Sequence, residues 1–318
     1  MAVSTFWYGC NMTRHGEIIR LSQQILAAVG VDAVLVGGPG ACCGSPKEST
    51  PRIAEGMADR TMETFSTWAK GVRSAEGGGG SSAGHWSRES AAAAEPLDLG
   101  LAEPLDLGLA ELPKVITWCP SCHANLDDFM GQTNEQNFGS QHLCEAIHDQ
   151  RAQLASLLTQ RVEARVFIDR HAGFQGRVPV NDIIPELLGM IPGVAVMDHA
   201  WRAPSYMCFG LASVPGALAD VQRTTLDAMR ETGADTLVTI FHSCHREMIG
   251  LERDHGIRVV NWVHLLAEGM GLPYVDEYKA WRNAEDPLAA IGAERVAAAG
   301  EVAVRKYAEP ELARPRPV

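Results

Sequence analysis

The sequence predicts an α/β protein made of two similar halves, each built on a small parallel sheet. Three observations lead there. Short apolar, β-branched segments alternate with longer amphipathic ones, as buried parallel strands alternate with helices. Several apolar segments run into turns that carry cysteine or histidine, and the carboxyl ends of parallel strands are where such sheets place their sites. The same anchors also recur along the chain. Together these give two pseudo-symmetric Rossmann-like halves with small parallel sheets, arising from an internal duplication.

In the first half, spanning residues 1–150, strands are expected at Ser4–Tyr8, Ala33–Val36 and Val115–Trp118. Helices are expected at Gly16–Val29 and Pro51–Gly71. In the second of these, Ile53, Met57, Arg60, Thr64 and Trp68 recur near helical spacing and are read as a core face. In the second half, residues 160–275, strands are expected at Ala164–Ile168, Val194–Met197, Thr236–Ile240 and Val259–Asn261. Its helices are expected at Val180–Leu188, Val214–Thr232, Cys244–Asp254 and His264–Met270. Residues 276–318 form a C-terminal extension whose Ala/Glu/Arg-rich helical composition gives way to the Pro-rich tail Pro310–Val318.

The repeat is carried by particular residues. Gly40-Ala41-Cys42-Cys43-Gly44 has an echo in Ser205-Tyr206-Met207-Cys208-Phe209-Gly210. Trp118-Cys119-Pro120-Ser121-Cys122-His123 has one in Ile240-Phe241-His242-Ser243-Cys244-His245. Cys10 is matched by His171, which also follows an apolar strand. His142 and His264 each lie 20 residues beyond Cys122 and Cys244 and are read as matched helix-capping residues. Cys144 is read as a small buried hydrophobe.

One spacing breaks the repeat. Cys43 to Cys122 is 79 residues, against 36 from Cys208 to Cys244, a surplus of 43. It is assigned to an insertion at about residues 74–112, which holds the run Gly77–Ser82 and a Glu-Pro-Leu-Asp-Leu-Gly-Leu-Ala octad written from Glu95 and again from Glu103. The Gly/Ser part is expected to be a flexible loop, and the octads carry too much Pro and Gly for a long helix. A surface insertion of this kind costs little stability.

The chain has 318 residues and a formal net charge of −12. That charge argues against nucleic acid as a partner. No apolar run approaches the roughly 20 residues that cross a bilayer, so direct membrane insertion is not expected and a cytoplasmic location is.

Cys10, Cys42, Cys43, Cys119 and Cys122 each sit in a Gly- or Pro-containing turn. Thiolates on turns can converge on one point and are the ligands that iron and sulfide require. Five exceed the four of a tetrahedral zinc site. A disulfide framework is not expected, since no secretory signal precedes Cys10 in this sequence. A Cys-x-x-Cys redox pair would leave three cysteines unexplained. A metal–sulfur cluster is the leading reading, with zinc and a dithiol as the other two.

Cys-x31-Cys-Cys-Gly followed by Cys-Pro-x-Cys, in tandem on α/β halves, resembles the cysteine-rich CCG-domain proteins. In length and layout the chain is similar to the heterodisulfide reductase B-like family. The resemblance implies one noncubane [4Fe-4S] cluster held by all five of these cysteines. It also implies an oxidoreductase subunit, active only within a complex, that passes electrons to or from a small sulfur-containing or disulfide substrate. A cleft between the halves is expected to hold that substrate.

The second copy departs from the pattern at His171, Met207 and Phe241. Three readings stay open for it. The pocket can be packed by Met207 and Phe241 as a relic. It can hold zinc or a second, simpler cluster through Cys208, Cys244 and a histidine from His171, His242 or His245. Or it can serve as a substrate pocket. His123 and His245 directly follow cysteines and are read as packed rather than bonded to sulfur.

The chain has neither a Cys-x2-Cys-x2-Cys-x3-Cys run nor a GxGxxG after a strand. A ferredoxin-like iron–sulfur subunit and a flavoprotein subunit are therefore expected as partners. The alternatives are an electron-relay subunit of a glycolate-, lactate- or succinate-dehydrogenase type of complex, and a non-catalytic metal-stabilised scaffold.

Overall fold

The computed structural model of the chain describes residues 4–38, 40–45, 50–77, 112–132 and 137–312. Residues 78–111, which hold the glycine run beyond Gly77 and both octads, lie outside them. The first sheet contains β1 (Ser4–Gly9), β2 (Ala33–Gly37), β3 (Lys114–Thr117) and β4 (Gly139–His142). The second contains β5 (Ala164–Asp169), β6 (Val194–Val196), β7 (Thr236–Thr239) and β8 (Arg258–Asn261). Every pairing is parallel, and the two orders, β2-β1-β3-β4 and β6-β5-β7-β8, are the same permutation. The chain is thus an α/β protein of two similar halves.

The helices that follow are α1 (Gly16–Ala28), α2 (Pro51–Gly77), α3 (Pro120–Gln132), α4 (Leu143–Asp149) and α5 (Arg151–Leu157) in the first half. The second half has α6 (Val180–Gly189), α7 (Cys208–Ala212), α8 (Ala217–Thr232), α9 (His242–Met248), α10 (Gly250–His255) and α11 (Trp262–Met270). After these come α12 (Glu277–Asn283) and further short helices to Leu312. No helix among the described residues is long and apolar enough to cross a membrane.

The differences from the sequence reading have physical causes. Strand β4, Gly-Ser-Gln-His, has no apolar pattern; it forms at a sheet edge because β3 offers it a partner. Helix α2 runs to Gly77, so residues 74–77 of the expected insertion are helical. Its buried face is Ala58, Thr61, Phe65 and Ala69, one position round from the expected stripe; Ile53 is half exposed and Arg60 exposed. The Pro215-Gly216 turn delays α8 to Ala217, and the expected Cys244–Asp254 helix breaks between Ile249 and Gly250 into α9 and α10. The Cys-Pro-Ser-Cys segment is the first turn of α3, with Pro120 at the position where a missing N–H costs nothing.

The capping match also shifts. His142 caps α4, accepting from Cys144 N while Glu145 closes the box. In the second half the cap is Asn261, and His264 occupies the place of Glu145. Thr117 pairs with His142 as Thr239 pairs with Asn261. The true equivalent of His142 is therefore Asn261, and the equal 20-residue spacings are a coincidence of loop length. Cys144 is fully buried, as read from the sequence.

Side-chain alternation gives each face of the first sheet a different task. Phe6 and Ile116 point into a large core shared with the second half. Trp7 and Val115 point the other way, onto Phe65, Ala69 and Leu126 of α2 and α3. Between the halves, α1 packs on α11 and α4 packs on α6. Buried Ile18, Leu21 and Ile25 of α1, and Ile183, Ile184 and Leu187 of α6, each contribute roughly 1.5–3 kcal/mol by leaving water. Among the described residues this seam is one continuous apolar core.

Trp118 and Trp262 stack across the seam with ring centroids 5.6 Å apart and planes 7° from parallel. Neither indole N–H has a partner. Trp262→Ala is expected to destabilise the protein by about 3–5 kcal/mol in urea denaturation. Trp262→Phe should cost less, because it keeps an aromatic ring and removes a buried unpaired donor.

Candidate metal centres

All five first-half cysteines meet at the carboxyl edge of the first sheet. Cys10 follows β1, Cys42 and Cys43 follow β2, and Cys119 and Cys122 follow β3. Because β1 and β3 are neighbours whose connections leave in opposite directions, a crevice opens between their ends. The thiols form a continuous chain of contacts, Cys10 to Cys42 to Cys43 to Cys122 to Cys119. The Cys10 and Cys42 sulfurs are 3.4 Å apart. None is in a disulfide. Cys42, Cys43 and Cys122 are buried, whereas Cys10 and Cys119 are half-buried and form the open side.

Two glycines make this convergence possible. Gly9 sits at φ +76°, and a Cβ there would lie 3.0 Å from Cys122 Sγ. Gly44 sits at φ +86°, and a Cβ there would lie 2.4 Å from the Ala54 carbonyl oxygen. No L side chain fits either position without moving backbone or sulfur. Side chains from three elements then fix the cysteine loop by successive carbonyls. Trp7 Nε1 donates to Ala41 O at 2.9 Å, Thr61 Oγ1 to Cys42 O at 3.0 Å, and Asn125 Nδ2 to Cys43 O at 3.2 Å. None of the three stands out in the sequence, since no motif signals a side chain that braces a distant loop.

The electrostatics of the thiols alternate. Contact with Cys122 draws Cys43 below the ordinary thiol range, and contact with Cys122 likewise lowers Cys119. Cys42 is raised, first by Cys43; Cys122 is raised, first by Cys119; and burial raises Cys10. Five adjoining sulfurs cannot all ionise against each other's charge. A polynuclear iron centre removes that conflict, because its positive charge stabilises every thiolate at once. The donor set fits such a group: soft, free of disulfides, converging, and open on one side.

The second half keeps the geometry with other donors. Cys244 Sγ lies 3.3 Å from His171 Nε2, and Cys208 Sγ lies 3.5 Å from both His171 Nε2 and Asp169 Oδ2. His171 Nε2 is 3.5 Å from Asp169 Oδ2, and all four residues are buried. Met207 and Phe241 fill the places of Cys42 and Cys119 in the core. Burial opposes charge on His171, yet Cys244 and Asp169 hold its pKa well above the ordinary value. Burial would raise Cys244, but the Cys208 hydrogen bond and His171 bring it down to about 6.

His242 and His245 do not join this set, contrary to the sequence reading. Both belong to α9, where His245 packs on His15 of the first half with ring centroids 5.5 Å apart and on His264 of α11 at 5.3 Å. Helical geometry turns neighbouring positions to different faces, so adjacency to Cys244 in sequence does not bring a ring to its sulfur. Asp169, which does join, reads in the sequence as no more than the end of a strand; its signal is a carboxylate closing an otherwise apolar segment two residues before His171. His123 bonds Thr117 Oγ1 at 2.7 Å and Asp127 at 3.1 Å rather than sulfur, in keeping with the packed reading.

Residues 4–73, from β1 through most of α2, match the family model CCG, cysteine-rich domain. The match spans Cys10, Cys42 and Cys43. Among curated proteins nothing matches. The domain match and the clustered cysteines and histidines together give the chain an iron–sulfur or metal-binding redox role.

Gly44→Ala is expected to lower the iron content of anaerobically purified protein and to cost roughly 1–3 kcal/mol of stability, from backbone strain at a left-handed position. Iron analysis and a denaturation curve on the same sample check both.

Proposed function

We propose that the chain is an iron–sulfur redox subunit of a heterodisulfide-reductase-like complex. The observation that carries this reading is the single contact chain of five free thiols drawn from three loops. Cys10, Cys42, Cys43, Cys119 and Cys122 would together hold a noncubane [4Fe-4S] cluster. When bound, that group supplies one-electron redox chemistry next to a site open to sulfur.

The chain's own residues supply the surroundings. Trp7, Thr61 and Asn125 keep the Cys42–Cys43 loop in place, and the braced loop limits reorganisation when charge changes. Burial of Cys42, Cys43 and Cys122 shields one side from water. Cys10 and Cys119 leave the opposite side as the approach for a disulfide, whose reduction takes two electrons and two protons and yields two thiols. Electrons would come from a ferredoxin-like subunit and, behind it, a flavoprotein.

For the second half the donor separations favour zinc. Bonds of about 2.3 Å to sulfur and about 2.0 Å to nitrogen or oxygen put tetrahedral neighbours about 3.5 Å apart. The observed 3.3–3.5 Å between Asp169, His171, Cys208 and Cys244 agrees with that. Such a closed, buried set would be structural.

Protein purified without oxygen is expected to carry about four irons and about four sulfides per chain. Cys43→Ala should lose the visible cluster absorption and the iron with it. Retention of the full cluster spectrum by Cys43→Ala would overturn the reading.

A further inference from the structure

Five residues after Cys10 begins a third cluster of buried polar groups, formed where α1, α9, α11 and the start of α12 meet. It contains His15, Glu17, His245, His264 and Asp276, all buried. The donor atoms of His15, His245 and Asp276 lie within 4.8 Å of one another, and so do those of Glu17, His264 and Asp276. Neither ring nitrogen of fully buried His15 has a hydrogen bond within 3.5 Å, and its Nδ1 and His264 Nε2 each stop 3.7 Å from Glu17 Oε1. Buried polar atoms are nearly always satisfied, so several orphans in one place indicate a missing ligand.

The wiring of the ring nitrogens sharpens this. His245 Nδ1 lies 3.4 Å from Thr239 Oγ1. His245 Nε2 lies 2.7 Å from Asp276 Oδ2. Asp276 Oδ1 is already committed to capping α12 through Lys279 N at 2.9 Å, so Oδ2 is the oxygen that faces the histidines. His264 accepts from Asn261 N at Nδ1, so its Nε2 carries the proton and points toward Glu17 Oε1, 3.7 Å away. His264 therefore orients a carboxylate, as an outer partner of a metal ligand does.

Charge gives the same answer. Glu17 and Asp276 bring two carboxylates into one buried volume with three imidazoles, where a cation would stabilise both. The adjacent Arg14 and Lys279 are bonded to Glu311 and Glu252. A divalent ion would balance both carboxylates. An entry route exists as well: a cavity of about 390 Å³ between α1 and the C-terminal helices is lined by Arg14, Glu17, Tyr278 and Glu311, among others, and Tyr278 packs on His15 with ring centroids 4.8 Å apart.

We infer that His15, His245 and Asp276, with Glu17 beside them, bind one divalent first-row metal ion through nitrogen and oxygen alone. Imidazole and carboxylate donors suit zinc or ferrous iron. This site is separate from the five-cysteine cup and from the Asp169–His171–Cys208–Cys244 set, and it stands or falls independently of the function proposed above. It ties the first half, the second half and the C-terminal extension to one ion.

The test is Asp276→Asn, which keeps the helix cap but removes the anionic ligand. Zinc, iron and inorganic sulfide are measured on wild type and variant purified without oxygen. The expected result is one metal ion fewer per chain in Asp276→Asn, with sulfide and cluster absorption at the wild-type level. Unchanged metal content, or metal that falls only in step with sulfide, overturns the inference. His15→Gln serves as a second variant with the same expected loss. X-ray absorption on Cys208→Ala protein, which lacks a thiolate of the second set, should show the remaining zinc or mononuclear iron with nitrogen and oxygen neighbours only; a sulfur shell on that ion refutes the site.

Discussion

In a parallel sheet every strand ends at the same edge, and when neighbouring strands send their connections to opposite faces a crevice forms between them. Both cysteine-bearing sites depend on that placement, at β1–β3 and again at β5–β7. It brings turns separated by more than a hundred residues of sequence, such as those of Cys10 and Cys122, within contact of each other. Loops alone could not do this, since the entropy of closing them would have to be met at each turn separately. The strands meet it once, through burial of their own apolar faces, and the turns inherit the result.

The two halves show what happens when one scaffold keeps its geometry while its donors change. Cys43 and Cys122 have direct counterparts in Cys208 and Cys244, and these remain in contact. Replacing the other thiols by His171, Met207 and Phe241, with Asp169 brought in from the strand end, turns a soft five-sulfur cup into a compact mixed set of four donors. The backbone registers the change. Gly44 holds a left-handed conformation against α2, whereas Phe209, its counterpart, enters helix α7 directly. A loop that no longer has to wrap a large group is free to become helix.

The seam between the halves has a mixed character. Most of it is aliphatic, from α1, α4, α6 and α11, with the Trp118–Trp262 stack at its centre. At the end nearest the C-terminal extension the same helices carry His15, Glu17 and His264 instead. Apolar contact fixes the mutual orientation of the halves and excludes water. That exclusion is what gives the buried carboxylates and imidazoles their strength, since charge interactions grow as the local dielectric falls.

The periodicity of short apolar segments, the recurrence of anchors and the cysteine turns make the α/β class, the duplication and the five-cysteine set legible from the chain alone, because each depends on local patterns in residue type. Seven strands are readable for the same reason; β4 is not, since an edge strand of Gly-Ser-Gln-His is made by its partner. The buried face of α2 needs the sheet it packs on, and the equivalence of His142 with Asn261 needs strand register, because loop lengths hide three residues of drift. The removal of His242 and His245 from the second donor set, the entry of Asp169, and the gathering of His15, Glu17 and Asp276 from distant segments are decided by tertiary structure alone. A sequence orders residues along one dimension, whereas a donor set is defined by which side chains share a buried volume, and that is settled only when helices and strands have chosen their faces.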